Sequence, residues 1–382
     1  MDCSSLATRT DFGSYIALLY DATQGDLTRL GECKLEVCTA LWGEGNPDIS
    51  GIGMLVAYVL EQFLGLALAF AVCIVRFRNT RGTTVWNSMA PRALNAFHDC
   101  ATFFAFSIQL AAIVVLVKAN FGISTAGMGD ATMRITHAVS ALVLLPLGYN
   151  MLVPGLGPSQ PHLELHVIQP HEFKAEVGVE KTEHFETKRD TQRFLLFIVC
   201  WLLAFYPFQS AINSWFGTSK IGSSSTAVIT KEQFEVIESM CTEGIKQISD
   251  TENALMAAFE ILAFVPLSTL VLGRVLWLGI EKHHHGPRFY LTLASLRKRY
   301  LSVKAGEGLQ MACFVAIPLL ASGLLWTIFR AQRLQMDMAS VLESGDSDHQ
   351  WTFGQVVAVT LFAPILVEAW NAYTEGRNQE TR

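Results

Sequence analysis

Several ionisable side chains lie inside long apolar stretches of the sequence, and three of them are candidates for chemistry. Glu61 is near the middle of residues 51–75, His137 is within residues 133–152 and Glu260 is within residues 254–280. Lipid offers such groups no partner, so they face protein or water and commonly mark functional sites. A carboxylic acid that is removed from water favours its neutral form and can donate a proton to an apolar substrate. These residues therefore predict acid-initiated chemistry within a membrane.

Glu61 is the first candidate for the acid, because its helical neighbours are of the right kinds. Helical spacing places it on one stripe, which we expect to face the bundle interior, with Gly51, Met54, Tyr58 and Gly65. Glu260 is the second candidate, and Asp48, His137 and Tyr58 are candidate supporting groups. A structural alternative explains both acids equally well: each could be tied to a Tyr, Gln or Asn of another helix, or paired with Arg134 or His137.

The composition points to a multi-pass membrane protein. Hydrophobic residues make up 51% of the chain and charged residues only 16%, whereas soluble domains average about 25% charged residues. Nothing suggests nucleic-acid binding. We predict an all-α bundle of about seven transmembrane helices within residues 51–380. The seven stretches that are long and apolar enough are residues 51–75, 100–117, 133–152, 194–213, 254–280, 311–329 and 353–373.

The distribution of charge predicts how the chain crosses the membrane. Lys and Arg concentrate in the connections one–two, three–four and five–six and in the C-terminal tail, while acidic residues concentrate on the other side. The positive-inside rule then places the N-terminus in the lumen or outside the cell and the C-terminus in the cytosol. Two short helices outside the spans are also predicted, a lumenal amphipathic helix at about residues 230–249 and a cytosolic interfacial helix at about residues 288–300.

Residues 1–50 form an acidic lumenal segment that contains three of the chain's cysteines. With this topology Cys3, Cys33, Cys38 and Cys241 share an oxidising compartment, where disulfides persist. Four cysteines allow three pairings, and the sequence does not choose among them.

The sequence predicts neither a metal nor a cofactor. The run at residues 283–285 is three histidines without a Cys, Asp or Glu at ligand spacing, which favours a basic interfacial loop. A second polar group towards the cytosol contains Arg274 and Glu368, which we interpret as a candidate ion pair. We find no phosphate-binding glycine loop and no nucleophile elbow.

Residues 46–53 read NPDISGIG, directly before the first apolar stretch. This junction, the acidic cysteine-containing head, the seven spans and the basic loop before the sixth span resemble fungal multi-pass membrane proteins. Among these are the membrane-bound terpene cyclases of meroterpenoid pathways of the ascofuranone and macrophorin type. The resemblance covers most of the chain in layout and only this junction in motif.

The resemblance implies cyclisation of the farnesyl chain of a lipophilic phenol or quinone, or of its epoxide, started by protonation without a metal. It also implies fungal secondary metabolism and an endoplasmic reticulum or other endomembrane location. The expected partners are a lipophilic small molecule and membrane lipid, with no obligate protein partner. The alternative from another class is a seven-helix receptor-like or transport protein, or a non-catalytic scaffold.

Overall fold

A computed structural model of the chain is all-helical over the residues that it describes. These are residues 31–42, 46–78, 84–120, 130–152, 192–216, 239–245, 248–282, 303–341 and 351–380. The predicted interfacial helix at residues 288–300 and residues 230–238 of the predicted amphipathic helix lie outside them. Residues 239–241 are helical, and a turn follows at residues 242–245.

Seven helical segments are long and apolar enough to cross a membrane, which confirms the predicted number of spans. They are Ile52–Val75, Met89–Val117, Ala131–Tyr149, Gln192–Trp215, Asp250–Val275, Met311–Ser340 and Phe353–Glu375. The chain is therefore an integral multi-pass membrane protein. The second span starts earlier than the predicted Cys100, so His98 and Asp99 lie inside it; Asp99 is tolerated there because it pairs with Arg193.

The helices are labelled in chain order. A short helix, α1, precedes the spans, and three of the spans are each divided into two helices. The bounds are α1 Lys34–Trp42, α2 Ile52–Arg78, α3 Thr84–Asn120, α4 Asp130–Leu142, α5 Leu147–Leu152, α6 residues 192–203, α7 Phe205–Phe216, α8 Asp250–Lys282, α9 Val303–Val341, α10 Phe353–Thr360 and α11 Ala363–Glu380.

The three divided spans share one local feature. In each of them a proline lies four residues after the last α-helical residue: Pro146 after Leu142, Pro207 after Leu203 and Pro364 after Thr360. A proline has no N–H for the bond to the carbonyl four residues earlier, and its ring clashes with that carbonyl. Pro91, Pro266 and Pro318 lie inside α3, α8 and α9 without dividing them, so proline favours a break and packing decides where one forms.

The third span, α4 with α5, is the centre of the bundle. Its apolar window is 89% buried, against 22% for that of the seventh span. Helix α4 packs against α3, α7, α8 and α9, and α2 packs against α3 and α10. We call the end of the bundle that contains residues 46–51 the head end. Helix α2 starts there, as do α4, α8 and α10.

Two sets of contacts hold the head end together, a disulfide and a pair of hydrogen bonds. A disulfide joins Cys38 of α1 to Cys241, and Cys33 is also disulfide-bonded. The second set of contacts, which we call the clasp, ties the junction before α2 to the start of α10. Gln355 donates from Nε2 to the Pro47 carbonyl over 2.6 Å, and its Oε1 accepts from the Gly53 N–H over 3.1 Å.

The clasp explains the two glycines of the junction. A Cβ on Gly51 would overlap the amide of Gln355, and a Cβ on Gly53 would overlap both Gln355 and the Trp351 ring. The backbone of α2 therefore approaches α10 more closely than any side chain would allow.

Candidate functional site

The interior stripe predicted for the first span is confirmed. Met54, Tyr58 and Glu61 are 4%, 0% and 0% exposed, and Gly51 and Gly65 are buried as well. The opposite face of α2 carries Phe63 and Phe70, which are exposed as expected of a lipid-facing surface. Glu61 therefore points into the protein at about 14 Å along the helix from Ile52.

The carboxyl group of Glu61 has no hydrogen-bond partner among the described residues, for either of its oxygens. An ionised carboxylate in this position would be a buried charge without a counter-ion, which costs several kcal/mol. The neutral acid is the form that this setting favours. Among the described residues, the structure therefore shows no hydrogen bond between Glu61 and a polar residue of another helix, which is what the structural alternative requires.

An aromatic group surrounds the face of α2 that carries Glu61. One turn before Glu61, the Tyr58 ring lies 5.9 Å from that of Phe104. One turn after it, Gly65 packs against Phe97, which a Cβ on Gly65 would approach to 3.0 Å. Phe362 bridges the two phenylalanines, with ring centroids 6.2 Å from Phe97 and 5.7 Å from Phe104. Helices α2 and α3 and the seventh span thus meet at the level of Glu61.

Phe362 lies at the break in the seventh span, in the turn between α10 and α11 and two residues before Pro364. It is 3% exposed and lies four residues after Ala358, which is also buried. The buried face of α10 therefore continues to the ring that completes the aromatic group.

Glu260 has a different environment. It is 2% exposed on α8, and its Oε2 accepts a hydrogen bond from Trp215 Nε1 over 2.8 Å. The Arg134 guanidinium lies over the Trp215 ring at 5.2 Å, and Arg134 also donates to Asn253 Oδ1. This group at the head end brings together an acid, an arginine, an amide and an aromatic side chain, and Glu260 is tied into it as the structural alternative requires.

His137 lies on α4, one turn after Arg134, and its Nε2 is 3.0 Å from the Ser210 hydroxyl. Asp48 is exposed, and its Oδ1 accepts from the Thr352 hydroxyl over 3.0 Å. Of the five predicted site residues, the structure therefore brings Tyr58 and Glu61 together. His137 and Glu260 belong to the surroundings of Arg134, and Asp48 belongs to the clasp.

The polar group at the other end of the bundle is built from different pairs than predicted. Arg274 is exposed, and Glu368 is half-buried. Arg193, which is 6% exposed, donates to both oxygens of Asp99 and to Asn95 Oδ1, over 2.7 to 3.0 Å. Bidentate pairing of this kind fixes the fourth span against α3.

Sequence reasoning missed Phe97, Phe104, Phe362 and the glutamines of α9 and α10. The glutamines carried a signal, because amides close to apolar stretches tend to bridge helices. Among the described residues, no group of three or more His, Cys, Asp or Glu is arranged to hold a metal ion. Comparison of the chain with protein-family models, with the curated proteins and with the solved structures finds no match.

Proposed function

We propose that this membrane protein is a terpene cyclase, in which Glu61 protonates the prenyl chain of a lipophilic phenol or quinone, or its terminal epoxide. The observation that carries the proposal is the carboxyl of Glu61, fully buried, without a hydrogen-bond partner among the described residues and beside an aromatic group. A carboxyl group that held two helices together would make hydrogen bonds through its oxygens. A proton donor must keep one of them available for the substrate.

The residues suggest a division of labour in such a reaction. The Glu61 O–H bond breaks as its proton goes to the epoxide oxygen or to a terminal alkene carbon. In the epoxide the C–O bond to the more substituted carbon then breaks and leaves a hydroxyl group, and in the alkene the π electron pair forms the new C–H bond. In both cases a cation develops on the adjacent carbon. The faces of Tyr58, Phe97, Phe104 and Phe362 supply negative quadrupole density to that cation. A carbon–carbon bond then forms at the expense of the next double bond, and the reaction ends when a ring carbon loses a proton to a base or to water.

The same proposal includes the sidedness of the chain, with the head end in the lumen or outside the cell. The Cys38–Cys241 disulfide supports it, because disulfides persist in oxidising compartments. The bias of Lys and Arg towards the opposite side supports it independently. An endomembrane location and a role in meroterpenoid biosynthesis belong to the proposal through the resemblance of residues 46–53 and the layout of the spans.

The test is a product assay in membranes from a host without terpenoid pathways. Membranes that contain the parent, Glu61→Gln or Glu368→Gln are given farnesylated phenols with and without a terminal epoxide. Products are identified by mass and retention time. Glu368 is the matched control, since it is a half-buried carboxyl in a span. It belongs neither to the aromatic group around Glu61 nor to the group around Arg134.

We expect the parent and Glu368→Gln to make a cyclised isomer that Glu61→Gln does not make. All three proteins should be inserted equally and show the same unfolding temperature. Retention of turnover by Glu61→Gln would overturn the assignment of the acid. The absence of any new product from a folded parent would count against the cyclase and favour the receptor-like or transport function.

A further inference from the structure

The seventh span breaks at the depth of Glu61. Gln355 of α10 accepts a hydrogen bond from the Gly53 N–H of α2, and both helices run away from the head end from that contact. Eight residues beyond each partner, about 12 Å along α2, lie Glu61 on α2 and Ala363 at the start of α11. The turn between α10 and α11 is therefore level with the buried acid.

The span changes its main neighbour at this turn. Helix α10 packs against α2, and α11 packs against α3. Pro364 has no N–H to donate to the Thr360 carbonyl, so a backbone hydrogen bond that would stiffen the span is missing at the same point. Hinges lie at positions of this kind, where a few residues at the end of a helix absorb a change in backbone angles.

Polar contacts hold the two ends of the seventh span. At the head end, Thr352 and Gln355 bond to residues of the junction and of α2. At the other end, Glu375 pairs with Arg92 of α3. Between these ends, among the described residues, no side-chain hydrogen bond joins the span to another helix, and the threonine hydroxyls donate to carbonyls of the span itself. The middle of the span is therefore held by packing.

One ring of the seventh span covers the aromatic group on the side that faces lipid. Phe362 is 3% exposed, whereas Leu366, one turn later, is 72% exposed. The Phe362 ring contacts Phe97 and Phe104 of α3, and Phe104 contacts Tyr58 of α2. Movement of this single ring away from α3 would therefore open the aromatic group to the bilayer.

We propose that the turn at Phe362 is a lateral entrance, through which an uncharged molecule dissolved in the bilayer reaches Glu61. The two ends of the seventh span stay in place while the turn moves outward, and the Phe362 ring leaves Phe97 and Phe104. The entrance selects molecules by their solubility in lipid and excludes charged molecules dissolved in water. The inference concerns how Glu61 is reached, whatever its reaction; for the proposed cyclase it is the route of the prenyl substrate.

The test is covalent modification of Glu61 by a carbodiimide and needs no substrate. The carboxyl oxygen bonds to the central carbon of the reagent and the carboxyl proton goes to one nitrogen. The acyl group then moves from that oxygen to the other nitrogen, so the residue gains the whole mass of the reagent. Protein in liposomes is treated with dicyclohexylcarbodiimide, which dissolves in lipid, or with a cationic, water-soluble carbodiimide. The rate is read from peptide masses, and the site is assigned by its loss in Glu61→Gln.

Three variants separate the entrance from a general loosening of the bundle. Phe362→Ala removes the ring that covers the aromatic group. Leu366→Ala is the control for loss of a large side chain from the lipid-facing side of the same span. Phe264→Ala is the control for a cavity in the core, since Phe264 is 5% exposed on α8 and its ring stacks on that of Phe208.

We expect the lipid-soluble reagent to modify Glu61 and the water-soluble reagent to leave it unmodified. Modification should be about tenfold faster in Phe362→Ala, because two ring contacts no longer hold the turn closed, and should keep the rate of the parent in both controls. An equal rise in Phe264→Ala, modification by the water-soluble reagent, or no modification even of Phe362→Ala would overturn the inference. The expected pattern without any cyclised product in the membrane assay would retain the entrance and refute the cyclase. Cyclised product together with equal modification rates in the parent and Phe362→Ala would do the reverse.

Discussion

Replacement of the two buried acids by leucine should move stability in opposite directions. Glu61 and Glu260 are both almost fully buried carboxyls in spans, but only Glu260 accepts a hydrogen bond that the structure identifies, from Trp215. Leucine has a similar size to glutamic acid and no polar atoms. The two substitutions are therefore matched in volume and in burial, and they differ in the hydrogen bonds that they remove.

The expected magnitudes follow from the partners. Glu61→Leu removes a buried polar group that has no protein partner, whose burial costs about 1–3 kcal/mol. We expect its free energy of unfolding to be unchanged or up to about 2 kcal/mol higher than that of the parent. Glu260→Leu leaves the Trp215 indole N–H without its acceptor, and the arginine above the ring loses a nearby acid. We expect a loss of about 1–2 kcal/mol.

The assay is thermal unfolding of the parent and both variants in the same detergent, together with the cyclisation assay. A stable, correctly inserted Glu61→Leu that has lost turnover would be the behaviour of a residue kept for chemistry at the expense of stability. If Glu61→Leu were as destabilised as Glu260→Leu, Glu61 would be a structural residue with partners in the folded protein. The reasoning from its unpartnered oxygens would then be refuted.

Two further predictions concern the head end. Gln355→Leu should lower the free energy of unfolding by about 2–4 kcal/mol, because the Pro47 carbonyl and the Gly53 N–H each lose a buried partner. Thermal unfolding measures this loss, with the lipid-facing variant Val356→Ala as the control. An unchanged unfolding midpoint in Gln355→Leu would contradict the clasp. Cys38→Ser and Cys241→Ser should each cost about 2–5 kcal/mol, and the double variant no more than either single one, since all three remove the same bond. Additive losses would show that the cysteines are not paired with each other.

Features that depend on residues close in the sequence could be predicted, and those that depend on convergence could not. The seven spans and the buried stripe of Glu61 follow from hydropathy and helical spacing alone. The breaks before Pro146, Pro207 and Pro364 are only partly local, because Pro91, Pro266 and Pro318 lie inside helices that are not divided. The aromatic group is different, because Phe97, Phe104 and Phe362 come from two spans that are far apart along the chain, and helical spacing carries no information about which faces meet.

The hydrogen bond of Asp48 is a second contact that the sequence could not predict. Its place three residues before the predicted start of the first span, at residue 51, made it a candidate supporting group for a buried acid. It instead accepts a hydrogen bond from Thr352, which is 304 positions later in the chain. The motif that carries the resemblance, residues 46–53, thus holds the seventh span, and the clasp explains its two glycines.

The clasp also fixes when the interior of the protein can be completed during synthesis. It joins Gly53 to Gln355 across 302 positions of sequence, and Phe362, which closes the aromatic group, lies in the same last span. The first span enters the membrane long before its covering partner leaves the ribosome, so until then Glu61 must be shielded by earlier spans or by the insertion machinery. A chain that stops before the seventh span would leave an acid facing lipid, so translation must reach the last span before the bundle can seal around Glu61.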